Sequence, residues 1–241
     1  MVIWKKIWPY LLLFVVGFIQ FSNTLDYPYV WDDSLVIENN PDVRAGITGI
    51  PEIFRKQNTD LVHDQIGYRP VALTTFALEQ EFFAMDAKVG HFNNVLLYSL
   101  LCMVLYRLLL VLFFKKRPLV ALMIVLLYVV HPLHTEVVAN IKSRDELLQF
   151  LFSVLALLAY VSWIRKPAHL HFLILSVACF GLGFLSKENA LAMLGVIGMY
   201  VLFFSDGGLK KKLIGLAPLA AAGLSGLMLM RYTLTTTEGS E

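Results

Sequence analysis

Seven apolar runs, each closed by charged or turn-forming residues, constrain this chain more than any other feature. They cover residues 7–25, 91–114, 119–130, 145–164, 169–185, 190–204 and 213–230. A helix crosses the hydrocarbon core of a bilayer with about 20 residues. Apolar residues make up 58% of the chain, against roughly 45–50% in soluble domains. The sequence therefore predicts an all-α, polytopic membrane bundle of about seven spans, forming a single module over residues 1–241. The net charge of +2 is too small to bear on partners, and nucleic acid is not expected among them.

Lysine and arginine near the span ends set the expected orientation. Lys5, Lys6, Lys115, Lys116, Arg117, Arg165, Lys166, Lys210, Lys211 and Lys212 all fall on one side, with almost no acid among them. That side is read as cytoplasmic. Lys5 and Lys6 precede an apolar run with no small-residue cleavage site after it, so the first span is read as an uncleaved anchor. Cys102 and Cys179 lie inside apolar runs and make no disulfide framework. No Asn-x-Ser/Thr sequon is present, which favours a bacterial cytoplasmic membrane.

The opposite face carries mixed charge: Asp32, Asp33, Arg69, Glu136, Arg144, Asp145, Lys187 and Glu188. The first outer loop, residues 26–90, is too polar to cross. Within it a helix over 71–85 is expected to start at Pro70. Its Leu73, Phe76, Leu78, Phe82 and Phe83 would face the membrane surface or a protein core, with Glu79, Gln80 and Glu81 toward water. His131-Pro132-Leu133-His134-Thr135-Glu136 gathers two imidazoles and a carboxylate. A divalent metal is one reading of that hexapeptide; the other is an interfacial segment lining a cavity. Pro132 keeps His131 and His134 out of one regular helix interior. Gly181, Gly183, Gly195, Gly198, Ala222 and Gly226 read as close helix packing, and Asp206-Gly207-Gly208 as a turn.

The outer-face residues also carry a resemblance. In order they are Tyr29-Val30-Trp31-Asp32-Asp33, Tyr68-Arg69-Pro70, Gly90-His91-Phe92-Asn93-Asn94, the hexapeptide with Val138-Ala139, Arg144-Asp145-Glu146-Leu147-Leu148 and Ser186-Lys187-Glu188-Asn189. This order resembles the membrane part of the transmembrane O-mannosyltransferases that carry tetratricopeptide repeats, and their bacterial relatives, within the GT-C superfamily. The resemblance runs over about residues 25–190. It implies a GT-C-like bundle and a polyprenyl-phosphate-linked sugar as donor at the outer leaflet. It also implies a hydroxyl acceptor on protein or glycan, an aspartate of the first outer loop as base, and inversion at the sugar. Asp32 and Asp33 match that acidic motif. Arg69, His91, Asn94, His131, His134, Glu136, Arg144, Lys187 and Glu188 match the other recurring polar positions, as donor or substrate contacts. The repeat domain of those relatives is not expected here. Asn140-Ile141-Lys142-Ser143 stands where relatives have a small, glycine-containing stretch.

The chemistry agrees with the residue types. Glycosyl transfer passes through an oxocarbenium-like state while negative charge builds on the leaving group. A carboxylate must take the acceptor proton and cations must meet the phosphate. Asp32 is expected as the base, with Asp33 orienting the acceptor or a histidine. Arg69, Arg144 and Lys187 are expected to converge on the phosphate. No cofactor is expected; membrane lipids are. A transporter or flippase of a lipid-linked sugar is the alternative, but it calls for charges near the bilayer midplane; a non-catalytic membrane scaffold is another. The topology has a direct check with single cysteines at Asn58 and Lys211. An impermeant thiol reagent on intact cells should label Asn58→Cys and spare Lys211→Cys; the reverse pattern exchanges the two faces.

Overall fold

The computed structural model describes residues 4–55, 67–204 and 216–228, and no strand occurs among them. The helices are α1 (Trp4–Gln20), α2 (Trp31–Asp33), α3 (Pro41–Arg44), α4 (Ile50–Arg55), α5 (Pro70–Phe83), α6 (Ala87–Leu112), α7 (Pro118–Val129), α8 (His134–Ala139), α9 (Arg144–Arg165), α10 (Leu170–Ser186) and α11 (Ala192–Phe204), followed by α12 (Leu216–Met228). Two segments, Ala87–Leu112 and Ile141–Arg165, are long and apolar enough to cross a membrane. The remaining apolar helices are shorter, at 10–17 residues. Lys210, Lys211, Lys212, the Asp206-Gly207-Gly208 turn and Asn58 lie outside the described residues.

Local chemistry explains the helix boundaries. Asp86 accepts the Lys88 N–H at 3.0 Å and caps α6, so that helix starts at Ala87, four residues earlier than the apolar run suggests. Ala84 and Met85, both at positive φ, turn the chain between α5 and α6. Asn40 accepts from Asp42 and Val43 N–H at 3.1 and 3.2 Å, with Pro41 in the first turn of α3, a standard N-terminal arrangement. Pro118 does the same for α7. At the other end of α1 the apolar run continues to Leu25, but the helix stops at Gln20. Residues Ser22–Asp26 tighten into a 3₁₀ turn, held by Thr24 Oγ1 donating to the Phe21 carbonyl at 2.8 Å.

The chain divides into two units. The first comprises Met1–Ile50 and Leu73–Leu147. Its core gathers Leu13, Val95, Tyr98, Cys102, Leu122, Val125, Val129 and Val138 from α1, α6, α7 and α8. Gly17 lets α1 approach α6: a Cβ there would meet Ser99 Oγ at 3.2 Å. Tyr10 packs edge-on against Tyr106, with ring centres 5.0 Å apart. The outer loop in this unit is folded rather than slack. Glu81 Oε2 accepts the Ile47 N–H at 3.2 Å across 34 residues, and Gly46 takes φ +63° beside that carboxylate, a conformation that costs glycine little.

The second unit comprises Pro51–Ala72 and Leu148–Glu241. Buried Ser176 donates to the Ala156 carbonyl at 2.8 Å and ties α10 to α9. Gly183 packs against Gln149 and Phe152, and Gly223 and Gly226 lie against Leu191, Leu194, Phe180 and Phe184. Gly183 and Gly226 behave as the sequence suggests, and Gly223, not singled out there, packs closely as well. Gly181, Gly195 and Gly198 do not, because a Cβ on any of them meets open space among the described residues.

Helix α5 starts at Pro70, as the proline predicts, and ends at Phe83. Its polar and apolar faces are not divided as expected. Leu73, Phe76 and Ala77 are buried, but so is Glu79, while Leu78, Phe82 and Phe83 are exposed. An internal cation draws Glu79 inward, as described below. A substitution pair tests the packing. A Cβ on Gly49 would fall on the Asp42 backbone carbonyl, so Gly49→Ala should cost about 1–3 kcal/mol. Gly195→Ala should lie within about 0.5 kcal/mol of wild type. Thermal unfolding in detergent reads both; equal effects would contradict the contrast.

Candidate active site

The chain leaves the 3₁₀ turn after α1 in extended form, with Val30 at φ −127° and ψ 149°. It then coils through α2 and a wider π-type turn to Glu38. This junction separates the two adjacent aspartates. Asp33 folds back, its Oδ2 accepting the Val30 N–H at 3.1 Å, the return half of a capping box. Its Oδ1 accepts the Lys142 N–H at 2.7 Å, across 109 residues. Asp33 is fully buried. That burial pushes its carboxyl above the ordinary range, partly offset by the two N–H donors and the His91 ring, while Asp32 adds the smallest push. Asp33 is thus raised mainly by desolvation and least by its neighbour. Folding disfavours its charged form, so stability through Asp33 is fullest at low pH and falls as pH rises through its raised value.

Asp32 is placed differently. Its side chain is 54% exposed, and Oδ2 lies 3.3 Å from the Lys142 ammonium. One residue therefore meets both acids, with its backbone on Asp33 and its side chain on Asp32. Lys142 was not among the residues singled out from sequence. The only signal there was that residues 140–143 depart from the family pattern.

Arg144 is the largest fully buried side chain among the described residues. Nε donates to Asn94 Oδ1 at 2.8 Å, and Nη2 to the Gly90 carbonyl at 2.9 Å. Nη1 donates to Thr75 Oγ1 at 3.1 Å and to Glu79 Oε1. The Phe76 ring lies 4.4 Å from the guanidinium carbon. Four of five N–H donors are thus engaged within the protein. Arg144, expected at the donor phosphate, instead binds α5, α6 and α9 together. Glu79, read as a water-facing residue, is its counter-ion and also accepts from Asn93 at 2.5 Å. Asn94, the other expected contact on α6, uses Nδ2 to hold the Asn140 and Ile141 carbonyls at 3.0 and 3.3 Å. Gly90 allows Ile141 to close in, since a Cβ there would lie 3.0 Å from two of its carbons.

His91 is buried, with neither ring nitrogen in a hydrogen bond among the described residues. The Tyr27 and Pro28 carbonyls and Asp33 lie nearby, at a geometry short of bonding. The hexapeptide splits as Pro132 requires: His131 precedes α8 and is exposed, and His134 opens it. His131 Nδ1 accepts the Leu133 N–H at 3.3 Å. The Tyr98 hydroxyl donates to the Val129 carbonyl at 3.0 Å, which leaves its oxygen to accept from His134 Nδ1 at 2.9 Å. Burial lowers the His134 imidazole below its ordinary value, and neighbouring His131 adds to this. Glu136 is exposed. Among the described residues no three His, Cys, Asp or Glu side chains come close enough to hold a metal ion.

Arg69, Lys187 and Glu188 belong to the second unit. Lys187 is extended and ends α10, its N–H donating to the Gly183 carbonyl at 3.0 Å. Glu188 opens the next 3₁₀ turn, and its Oε2 is buried without a hydrogen-bond partner among the described residues.

Comparison with known proteins gives one consistent answer. The family profile described as dolichyl-phosphate-mannose-protein mannosyltransferase matches residues 72–230. Human protein O-mannosyl-transferase TMTC1 is 32% identical over 200 residues, covering 76% of this chain and 22% of that protein. Human protein O-mannosyl-transferase TMTC4 is 30% identical over 217 residues, covering 80% and 29%. Protein O-mannosyl-transferase F38B6.6 of Caenorhabditis elegans is 31% identical over 190 residues, covering 75% and 26%. The chain thus spans between about a fifth and a third of the length of these relatives. No solved structure matches it.

The buried ion pair gives a test independent of activity. Removing one partner of such a pair typically costs about 3–5 kcal/mol, because the other charge stays buried alone. Glu79→Ala and Arg144→Ala should each destabilise on that scale. The double variant Glu79→Ala/Arg144→Ala should lose less than the two single losses combined. Strict additivity in thermal or denaturant unfolding would show the two side chains to be uncoupled.

Proposed function

This chain belongs to the dolichyl-phosphate-mannose-protein mannosyltransferase family, and we propose that it is an integral-membrane, inverting mannosyltransferase. The proposed donor is a polyprenyl-phosphate-linked mannose, and the proposed acceptor a hydroxyl of protein or glycan. The proposed setting is a seven-span bundle in a bacterial cytoplasmic membrane with the site facing outward. The observation that carries the reading is the division of labour at the acid pair. Asp33 is buried and held by two backbone donors, while Asp32 projects from the same rigid junction with its carboxylate exposed.

In the proposed reaction the acceptor oxygen attacks the anomeric carbon from the side opposite the phosphate. The bond from that carbon to the phosphate oxygen breaks, and its electron pair leaves with the phosphate. Asp32 takes the hydroxyl proton. Asp33 keeps the junction in place and so aims its neighbour. Asn94, Glu79 and Arg144 act one layer further in, fixing the 140–144 segment on α6. Arg69 and Lys187 remain proposed phosphate ligands, with His91, His131, His134, Glu136 and Glu188 as further proposed substrate contacts. The reading needs no cofactor.

The test is transfer of radiolabelled mannose from a polyprenyl-phosphate donor in membranes carrying the chain. Asp32→Asn, inserted and expressed normally, should lose about 100- to 10,000-fold in rate, the usual range for a lost general base. Near-full transfer by that variant would remove Asp32 from the chemistry. Loss confined to Asp33→Asn, with unfolding behaviour unchanged, would exchange the two roles.

A further inference from the structure

We propose that Lys142 binds the phosphate of the lipid-linked donor while holding Asp32, so that one ammonium serves both the base and the leaving group. This deepens the reading above and rests on its lipid-phosphate donor.

The backbone at Lys142 is fixed independently of its side chain. Its N–H is bound by Asp33, the two preceding carbonyls by Asn94, and Ile141 fills the space left by Gly90. Arg144, two residues on, is buried. The lysine stem therefore starts from a rigid point, and only its tip is adjustable.

The tip has capacity to spare. An ammonium carries three N–H donors that diverge. Among the described residues the Lys142 ammonium makes one hydrogen bond, to Asp32. The side chain remains 24% exposed, next to the exposed Asp32 carboxylate. Two other cations of the first unit are committed. Arg144 is enclosed by its four acceptors, and Lys88 pairs with Asp26 at 2.8 Å. His91 lies beside Asp33, buried and with neither ring nitrogen hydrogen-bonded among the described residues.

Charge supplies the reason for a cation at this spot. A phosphate brought to Asp32 meets a carboxylate of its own sign, with Asp33 behind it. Unscreened, that repulsion would keep the donor from the base. An ammonium between the two anions attracts both, and its point charge does not demand the planar two-pronged geometry of an arginine. As the sugar–phosphate bond breaks, the electron pair settles on the phosphate oxygen, and Lys142 hydrogen-bonds to that oxygen while keeping its own proton. The acceptor proton goes to Asp32.

Binding of farnesyl phosphate to the purified full chain in detergent, followed by calorimetry with farnesol as the uncharged control, tests this without an acceptor. Wild type should bind farnesyl phosphate in preference to farnesol. Lys142→Gln should weaken that binding about 10- to 100-fold, the range of a lost hydrogen bond to a charged group. Lys142→Arg should recover most of it, and both variants should unfold at the wild-type temperature. Asp32→Asn should tighten binding, because it removes the like charge and frees the ammonium. That direction would not follow if Lys142 served only the fold. Unchanged affinity in Lys142→Gln, or a loss that accompanies unfolding and is not restored by arginine, overturns the inference. Lys142-dependent binding without any mannose transfer by wild type would uphold this site and reject the proposed function. A wild type that does not distinguish farnesyl phosphate from farnesol would reject the site.

Discussion

A single buried guanidinium holds the first unit's outer region in register. Arg144 sits where α9 begins, and its donors reach α5 through Thr75 and Glu79 and α6 through Gly90 and Asn94. Burying a cation is costly unless its donors are met and its charge is balanced. Here Glu79 balances the charge, and carbonyl, amide and hydroxyl oxygens meet the donors. The three helices can then be arranged in few other ways without leaving a charge unpaired in the interior. The short segment before Arg144 inherits this order, and through it so do Lys142 and the acid pair.

The membrane-like character of the chain was legible at once, because apolar run length is a one-dimensional property. Helix starts were nearly as legible wherever a proline or capping side chain marks them, as at Pro70, Asp86 and Pro118. The lower boundary of α1 was not, since the hydrogen bonds that tighten Ser22–Asp26 compete with helix in a way that residue type alone does not announce. The glycines show the same limit. Gly183 and Gly181 look equivalent in sequence, but among the described residues only the first faces a neighbour.

The site was legible in its parts and not in its assignments. Asp32 and Asp33 stood out as a pair, yet adjacent residues on a helical turn point in different directions, and only the fold says which one goes inside. Glu79 looked like one of three acids on a polar face. Its direction is set by an arginine 65 residues away, and no local periodicity encodes that. Lys142 was hidden for a related reason. Its contact with Asp33 runs through the backbone N–H, which every residue except proline possesses, so its side chain gives no hint of it.

That anonymity of the backbone contact bears on how such a protein can change. Position 142 is held by a group common to nineteen of the twenty amino acids, since proline alone lacks the N–H. Its side chain can be exchanged without loosening Asp33, whereas Asp32 loses its ammonium partner with any residue that is not a cation. The neighbouring Asn94, Arg144 and Asp33 have no such freedom. One residue thus carries two separable duties: a frame contact that almost any amino acid keeps, and a charge beside the exposed carboxylate that only a cation supplies.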